Sequence, residues 1–250
     1  MPIALTATGI FGLLLGSFLN VVAYRLPRGE SFVAPRSHCP GCETPIAPYD
    51  NIPLVSWLLL RGRCRTCRTR ISARYPVVEL ATGVLYVLVV ALRHGPADIL
   101  LGLLLVTFLV PIALIDLDTR RIPNVLTGTL AALGLVVVLA FARADVVEYL
   151  AAGAGAFLFF FLAAFAYPQG MGMGDVKLAG AMGLCLGRAV APALLFAMVA
   201  GVLVGVVIIA RLGAERGRRT AVPFGPFLAL GGVLALFVGE GLMDGYLERF

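Results

Sequence analysis

Long apolar segments constrain the fold of this chain more than any other feature of its sequence. A helix needs about 20 consecutive apolar residues to cross a bilayer, and eight stretches of the chain suit such a helix, the sixth being short. The 250 residues are 60% hydrophobic and 14% charged, whereas a soluble domain is about half apolar and a quarter charged. We therefore predict an all-α polytopic membrane protein. The predicted transmembrane helices cover 3–24, 76–93, 98–116, 122–142, 146–167, 175–187, 189–211 and 222–243.

Positive charges are distributed unevenly among the segments that join these spans. If the N-terminus lies outside, sixteen of the twenty Lys and Arg residues fall on the cytoplasmic side. Such an excess of positive charge is usual in the cytoplasmic segments of membrane proteins. This orientation, with both termini outside, is our prediction. The net charge of +6 follows from the same bias and gives no reason to expect nucleic acid as a partner. The four residues left on the outer side are Arg93, Arg143, Arg188 and Arg249.

The longest segment between predicted spans, residues 26–75, contains two Cys-x-x-Cys pairs separated by 21 residues. Two such pairs can supply four thiolates to one tetrahedral Zn²⁺, which then has no open position for catalysis. We predict a structural zinc site that largely folds this loop. Redox-active dithiols are the alternative, and we expect His38 to remain outside the ligand set. The predicted ligands are Cys39, Cys42, Cys64 and Cys67.

Two aspartates stand at the ends of apolar segments in a chain with only 14 acidic residues. Asp116 ends the third predicted span, and Asp175 begins the sixth after the glycine-rich run 170–174. Ionisable residues in or beside membrane helices are energetically costly and usually functional. In the predicted orientation both carboxyl groups lie near the cytoplasmic face. Two aspartates that share a site can divide the roles of general base and general acid, and such a pair can hydrolyse a peptide bond with water.

A different interpretation makes both aspartates ordinary helix ends. Asp175 would then cap the N-terminus of its helix, and Asp116 would pair with Arg120 or Arg121. Asp118 competes with Asp116 for the functional role, but it projects from another side of the helix, where we expect solvent or an arginine partner. The residues alone leave both interpretations open.

Five segments resemble those of the type IV prepilin peptidases, a family of membrane aspartic proteases with a Gly-x-Gly-Asp signature. The resemblance covers nearly the whole chain. Residues 172–177 contain the signature and the lysine that follows it, and Asp116 lies seven residues before Pro123. The order of these motifs, together with the four cysteines, makes the resemblance specific. The five segments are 16–27, 37–42, 49–57, 71–79 and 172–177.

This resemblance implies catalytic residues, a substrate and cofactors. It gives the catalytic role to Asp116 and Asp175, and it implies removal of the basic leader of type IV prepilins or type II secretion pseudopilins after a glycine. It also implies N-methylation of the new N-terminal residue from S-adenosylmethionine, for which we predict no contact residue. Such an enzyme would lie in the bacterial inner membrane, among lipids, and bind the prepilin helix from the cytoplasmic side.

We accordingly divide the chain into three predicted segments. Residues 1–25 form the first transmembrane helix, 26–75 a zinc-binding loop associated with methyl transfer, and 76–250 the aspartic peptidase. Attraction of a basic leader requires acidic groups in or beside the loop, although an ordinary solvated charge or arginine partner would have the same sequence pattern. The candidates are Glu30, Glu43, Asp50 and Glu79.

Three other functions fit part of the pattern. A peptidase that has lost methylation would yield an unmethylated product, and a non-catalytic assembly scaffold would tolerate loss of the aspartates. A proton-coupled transporter would be expected to have internal repeats and charges near the membrane midplane. The sequence shows no clear repeat and predicts both aspartates at the membrane rim.

Overall fold

The computed structural model describes the chain almost from end to end, and within the described residues it contains helices, turns and two isolated β-bridges but no strand. Three arginines that contribute to the predicted charge bias, Arg216, Arg218 and Arg219, lie outside the described residues. The described ranges are 2–34, 36–167, 170–213, 215 and 222–249.

Helices α1 to α9 correspond to the predicted spans with one exception. The exception, α2, is a five-residue helix in the long loop. Boundaries differ from prediction by about three residues or fewer at most ends. The helices are α1 Pro2–Arg25, α2 Val55–Leu59, α3 Arg74–Leu92, α4 Pro96–Thr119, α5 Asn124–Phe141, α6 Val146–Ala166, α7 Met173–Leu186, α8 Val190–Leu212 and α9 Gly225–Leu247.

Seven helical segments among the described residues are long and apolar enough to cross a membrane. One of them, Met173–Leu212, contains both α7 and α8, which are separated by a 3₁₀ turn at Gly187–Ala189. Gly187 has a φ of 54°, a conformation that glycine adopts without steric cost. The all-α polytopic fold with about eight membrane helices is therefore confirmed, and the short sixth span is a separate helix of 14 residues.

The chain divides into two compact units, Met1–Ala91 and Leu92–Phe250. The first contains α1, the long loop with α2, and α3. Glycines let α1 and α3 approach closely, because a Cβ on Gly16 would lie 2.8 Å from the Cα of Glu79. Asn20 on α1 donates a hydrogen bond to the backbone carbonyl of Tyr75, 3.3 Å away, and so ties the end of α1 to the start of α3.

Helix α7 lies in the middle of the second unit. Nine of its 14 residues are buried, and it contacts α4, α5, α6, α8 and α9. Small residues again set the packing distance, since a Cβ on Gly183 would lie 2.6 Å from the Cα of Gly153 on α6. The nine buried residues lie between Val176 and Leu186, so the first turn of α7, which contains Asp175, is its more accessible end.

An ion-pair cluster holds the start of α4 in place. Arg93 Nη2 lies 2.5 Å from Glu240 Oε1 on α9 and 3.7 Å from Asp98 Oδ2 in the first turn of α4. Helices α4 and α9 are therefore joined near this end. A second contact joins their opposite ends, where the backbone N–H of Gly225 in α9 donates a hydrogen bond to Asp116 in the last turn of α4. The two contacts together hold the register between these helices.

Candidate active site

Asp116 lies in the last turn of α4 with only 5% of its surface exposed. The helix continues to Thr119 and ends where Arg120 adopts a φ of 53°, so the predicted end at residue 116 is three residues early. Asp116 Oδ2 accepts a hydrogen bond of 2.8 Å from the backbone N–H of Gly225, the first residue of α9. Its hydrogen-bond partner is therefore a buried amide, whereas the alternative interpretation required an arginine.

Asp118 is exposed on the same turn of α4. Two residues correspond to a rotation of about 200° around an α-helix. Its side chain therefore leaves the opposite side of α4 from Asp116, as the sequence predicted.

Gly225 was not identified from the sequence. A Cβ at this position would lie 2.8 Å from Asp116 Oδ2 and 3.1 Å from its Cβ, so a larger residue would displace the carboxyl group. The glycine-proline pair at 225–226 is a recognisable helix start. No sequence pattern, however, connects it with an aspartate 109 residues earlier in the chain.

Asp175 lies in the first turn of α7 and is partly buried. Its Oδ2 atom accepts a hydrogen bond of 3.3 Å from the backbone N–H of Gly172. This contact satisfies an amide at the start of the helix, and the positive end of the helix dipole favours a carboxylate there. Gly172 is thus the N-cap residue, whereas the alternative interpretation gave that position to Asp175, which lies three residues later and bonds back to the cap.

The two aspartates occupy neighbouring helix ends. Helices α4 and α7 are in contact, and the segment that follows α4 packs on the first turn of α7, where Ile122 lies against Gly174 beside Asp175. One aspartate comes from the end of a helix and the other from the start of one. The structure therefore brings together two ionisable groups that are separated by a hairpin and a further span in the sequence.

A polar contact beside Asp175 connects the starts of α7 and α5. Lys177 Nζ donates a hydrogen bond of 3.0 Å to Asn124 Oδ1, directly after Pro123. A Cβ on Gly174 would lie 2.9 Å from Ile122 Cβ, which shows how closely the segment before α5 packs on this turn. The sequence places the lysine in a motif but does not indicate its partner Asn124, because the contact spans 53 residues.

The four cysteines of the loop form one cluster. Their Sγ atoms all lie within 4.8 Å of one another, and the shortest distances are 3.6 Å from Cys39 to Cys67 and 4.0 Å from Cys42 to Cys64. Four sulfurs around a tetrahedral Zn²⁺ at about 2.3 Å would be about 3.8 Å apart. The cluster could therefore hold a metal ion, and its geometry and donor set fit zinc. His38 is not part of this cluster.

Each Cys-x-x-Cys pair sits in the same kind of tight turn. The amide of Glu43 bonds back to the carbonyl of Cys39, and the amide of Arg68 to that of Cys64. Glu43 and Arg68 both have positive φ, at 57° and 62°. The two turns pack closely, since a Cβ on Gly41 would lie 2.7 Å from the Thr69 hydroxyl oxygen. The geometry of the two turns and their close packing thus bring two pairs of sulfurs together.

Two of the four acidic candidates in or beside the loop already have partners within it. Asp50 accepts hydrogen bonds from Arg65, the shortest being 2.6 Å, and these hold the pKa of Asp50 below its ordinary value. Glu79 is buried and accepts a hydrogen bond from the backbone N–H of Leu54. Glu30 and Glu43 are exposed.

Two family models match successive parts of the chain. The model of the bacterial peptidase A24 N-terminal domain matches residues 10–93. The model of the type IV leader peptidase family matches residues 103–209. The first match contains the four cysteines, and the second contains both aspartates.

Similar proteins are found in several bacteria. The chain is 38% identical to a prepilin leader peptidase/N-methyltransferase of Aeromonas hydrophila, over 96% of this chain and 93% of the relative. It is 37% identical to a protein of the same name from Neisseria gonorrhoeae, over 92% and 89% of the two chains. A type 4 prepilin-like proteins leader peptide-processing enzyme of Escherichia coli is 35% identical over 95% and 94%. No solved structure matches the chain.

Proposed function

Since this chain belongs to the type IV leader peptidase family, we propose that it removes the basic leader of type IV prepilins or pseudopilins through Asp116 and Asp175. It is a multi-pass bacterial membrane protease with an associated methyltransferase activity. One observation carries this proposal. The Asp116 carboxyl group is buried at the end of α4, which contacts α7, and Asp175 lies in the first turn of α7.

The proposed reaction is hydrolysis by an activated water. One carboxylate removes a proton from water, and its protonated partner donates a hydrogen bond to the carbonyl oxygen of the scissile peptide. The water oxygen forms a bond to the carbonyl carbon, the C–N bond breaks, and a proton passes to the departing amine. Like charges at close range separate the two protonation steps, which is what allows one aspartate to be charged and the other protonated.

The substrate is proposed to enter as a single hydrophobic helix with a basic segment at its cytoplasmic end. The charge distribution of the connecting segments supports an inner-membrane location, with the aspartates near the cytoplasmic face and both termini outside. A scissile bond after the glycine that ends the leader would then arrive at the depth of Asp116 and Asp175.

The second proposed activity is methylation of the amine that cleavage exposes, with S-adenosylmethionine as methyl donor. It rests on family membership, with residues 26–75 as the proposed methyltransferase-associated region and residues 76–250 as the proposed peptidase. Zinc is the proposed ion of the cysteine cluster. Cys39, Cys42, Cys64 and Cys67 would hold it as a structural ion, since four thiolates complete a tetrahedral shell.

Reconstitution with a prepilin tests both activities in one measurement. In vesicles with S-adenosylmethionine, we expect mass spectrometry to find a pilin that lacks its leader and is heavier by one methyl group. In the absence of the methyl donor, the cleaved pilin should carry a free amine. A cleaved but unmethylated product in the complete mixture would identify a peptidase alone, and intact prepilin would contradict the proposal.

Substitution of Gly225 tests the position of Asp116. In Gly225→Ala the new methyl group would collide with Asp116 Oδ2, and we expect the cleavage rate to fall by about 10²-fold, as for a misplacement of about 1 Å. The matched control is Gly241→Ala on the same helix, where a Cβ meets nothing within 4 Å. Equal cleavage rates for the two variants would show that the close approach of Gly225 does not position the Asp116 carboxyl group.

A further inference from the structure

Helix α2 of the first unit has its apolar side chains on the outside. Val55, Leu58 and Leu59 are 48%, 65% and 78% exposed. Their spacing of three and four residues places them on one face of the helix. Ser56, the polar residue of the helix, is only 6% exposed. In a soluble loop the apolar face would be expected to point inward, so α2 is arranged for apolar surroundings.

Hydrogen bonds hold this exposed face in place. The Ser56 hydroxyl donates to the carbonyl of Tyr49 at 2.8 Å and accepts from the amide of Ile52 at 3.2 Å. Trp57 Nε1 donates to the carbonyl of Ile71 at 3.3 Å. The inner face of α2 is therefore fixed to the rest of the loop. The three apolar side chains lie on the opposite face and do not pack against the loop.

One contact sets the level of α2 relative to the membrane-spanning helix α3. The backbone N–H of Leu54, directly before α2, donates a 2.8 Å hydrogen bond to Glu79 Oε2. Glu79 lies five residues into α3, about 7.5 Å along its axis from Arg74. The adjacent Val77 and Leu80 are exposed apolar residues of α3. Helix α2 thus begins at a level where α3 already presents apolar side chains to its surroundings.

The charges next to α2 match a lipid surface. Arg61 and Arg63 follow the helix at once, and both are exposed. Arginine stems can lie along apolar surface while the guanidinium groups reach lipid phosphates. We propose that α2 lies in the interfacial region of the leaflet from which the loop emerges. Val55, Leu58 and Leu59 insert among acyl chains, and the two arginines bind phosphate headgroups.

The chain contains a natural probe for this contact, because Trp57 on α2 is its only tryptophan. The zinc-loaded protein is reconstituted without substrate in nanodiscs with one chain each, made from phosphatidylcholine brominated near the headgroup or near the chain end. We expect shallow bromines to reduce Trp57 emission roughly twofold or more relative to unbrominated lipid, and deep bromines to act more weakly. Equal emission in all three lipids would overturn the proposal.

Variants separate lipid contact from other causes of quenching. Leu58→Gln with Leu59→Gln should abolish the quenching, whereas Val33→Gln, an 89% exposed apolar residue of the same loop, should leave it unchanged. A second pair of variants tests the hydrogen bond between Leu54 and Glu79. Glu79→Gln keeps an acceptor for the Leu54 N–H and should retain quenching, while Glu79→Met removes the acceptor and should reduce quenching. Bound zinc is measured for each variant, so that only proteins with an intact loop are compared.

Two further outcomes would show that a protein, and not lipid, covers the apolar face of α2. Quenching that is absent in single-chain nanodiscs, with Trp57 becoming shielded from aqueous acrylamide only after a prepilin is added, would assign it to the substrate. Shielding that appears only with two chains per disc would assign it to a second copy. Either result overturns the proposed lipid contact without affecting the proposed peptidase activity.

Discussion

Asp116→Asn and Asp175→Asn are each expected to abolish prepilin cleavage, by at least about 10³-fold. Asparagine has almost the same shape as aspartate, and at position 116 its amide oxygen can still accept the hydrogen bond from Gly225. It cannot remove a proton from water or donate one as an acid. The variants should therefore remain folded and inserted while the leader stays attached, and mass spectrometry of a reconstituted prepilin measures this directly.

Asp118→Asn is the matched control for this experiment. It makes the same chemical change two residues away on the same helix, on an exposed side chain. We expect this variant to cleave at nearly the wild-type rate. Both active-site variants should also methylate a pilin that has already lost its leader, because methyl transfer does not use the aspartates in the proposed mechanism. Near-normal cleavage by either Asp116→Asn or Asp175→Asn would falsify the assignment.

Removal of the zinc ligands is expected to have the second large effect. We predict one zinc per chain in the purified protein and none after Cys39→Ser with Cys64→Ser, which removes one thiolate from each turn. Structural zinc sites in small peptides contribute about 10–16 kcal/mol of apparent binding free energy. Loss of the ion should therefore unfold the loop of residues 26–75. Elemental analysis measures the zinc, and limited proteolysis measures the loop.

Cys185→Ala provides the control, because Cys185 is buried in α7 and takes no part in the cluster. This variant should retain one zinc per chain and a loop that resists proteolysis. Membrane insertion should be the same in all of these proteins, since hydrophobic segments direct it. A native protein that contains no metal and yet has a protease-resistant loop would rule out the structural zinc.

Local sequence patterns were sufficient for the fold class. Backbone amides and carbonyls inside a bilayer have no water to bond to, so a long apolar segment is restricted to a helix. The eight predicted spans follow from this restriction. Helix α7 is shorter than a full span, and it packs against five neighbouring helices. The cysteine cluster was predictable for a similar reason, since each Cys-x-x-Cys turn forms its geometry within a few residues.

Contacts between distant parts of the chain were not predictable in this way. The hydrogen bonds from Gly225 to Asp116 and from Leu54 to Glu79 join residues 109 and 25 positions apart. A backbone amide can bond to any acceptor that packing places nearby, so its partner leaves no trace in composition or periodicity. The outward apolar face of α2 was missed too, because a five-residue helix is too short to show a reliable pattern.

The sequence by itself determined which segments are helices, which residues can bind metal and which two aspartates are candidates for acid–base chemistry. These properties depend on residue type and short spacing, and they are therefore local. Only the tertiary structure decided that Asp116 is buried against the start of α9, that α4 contacts the helix whose first turn contains Asp175, and that Asp118 is exposed. Helix packing makes this selection, because close contacts at glycines fix the rotation of each helix and hence which carboxyl group faces inward.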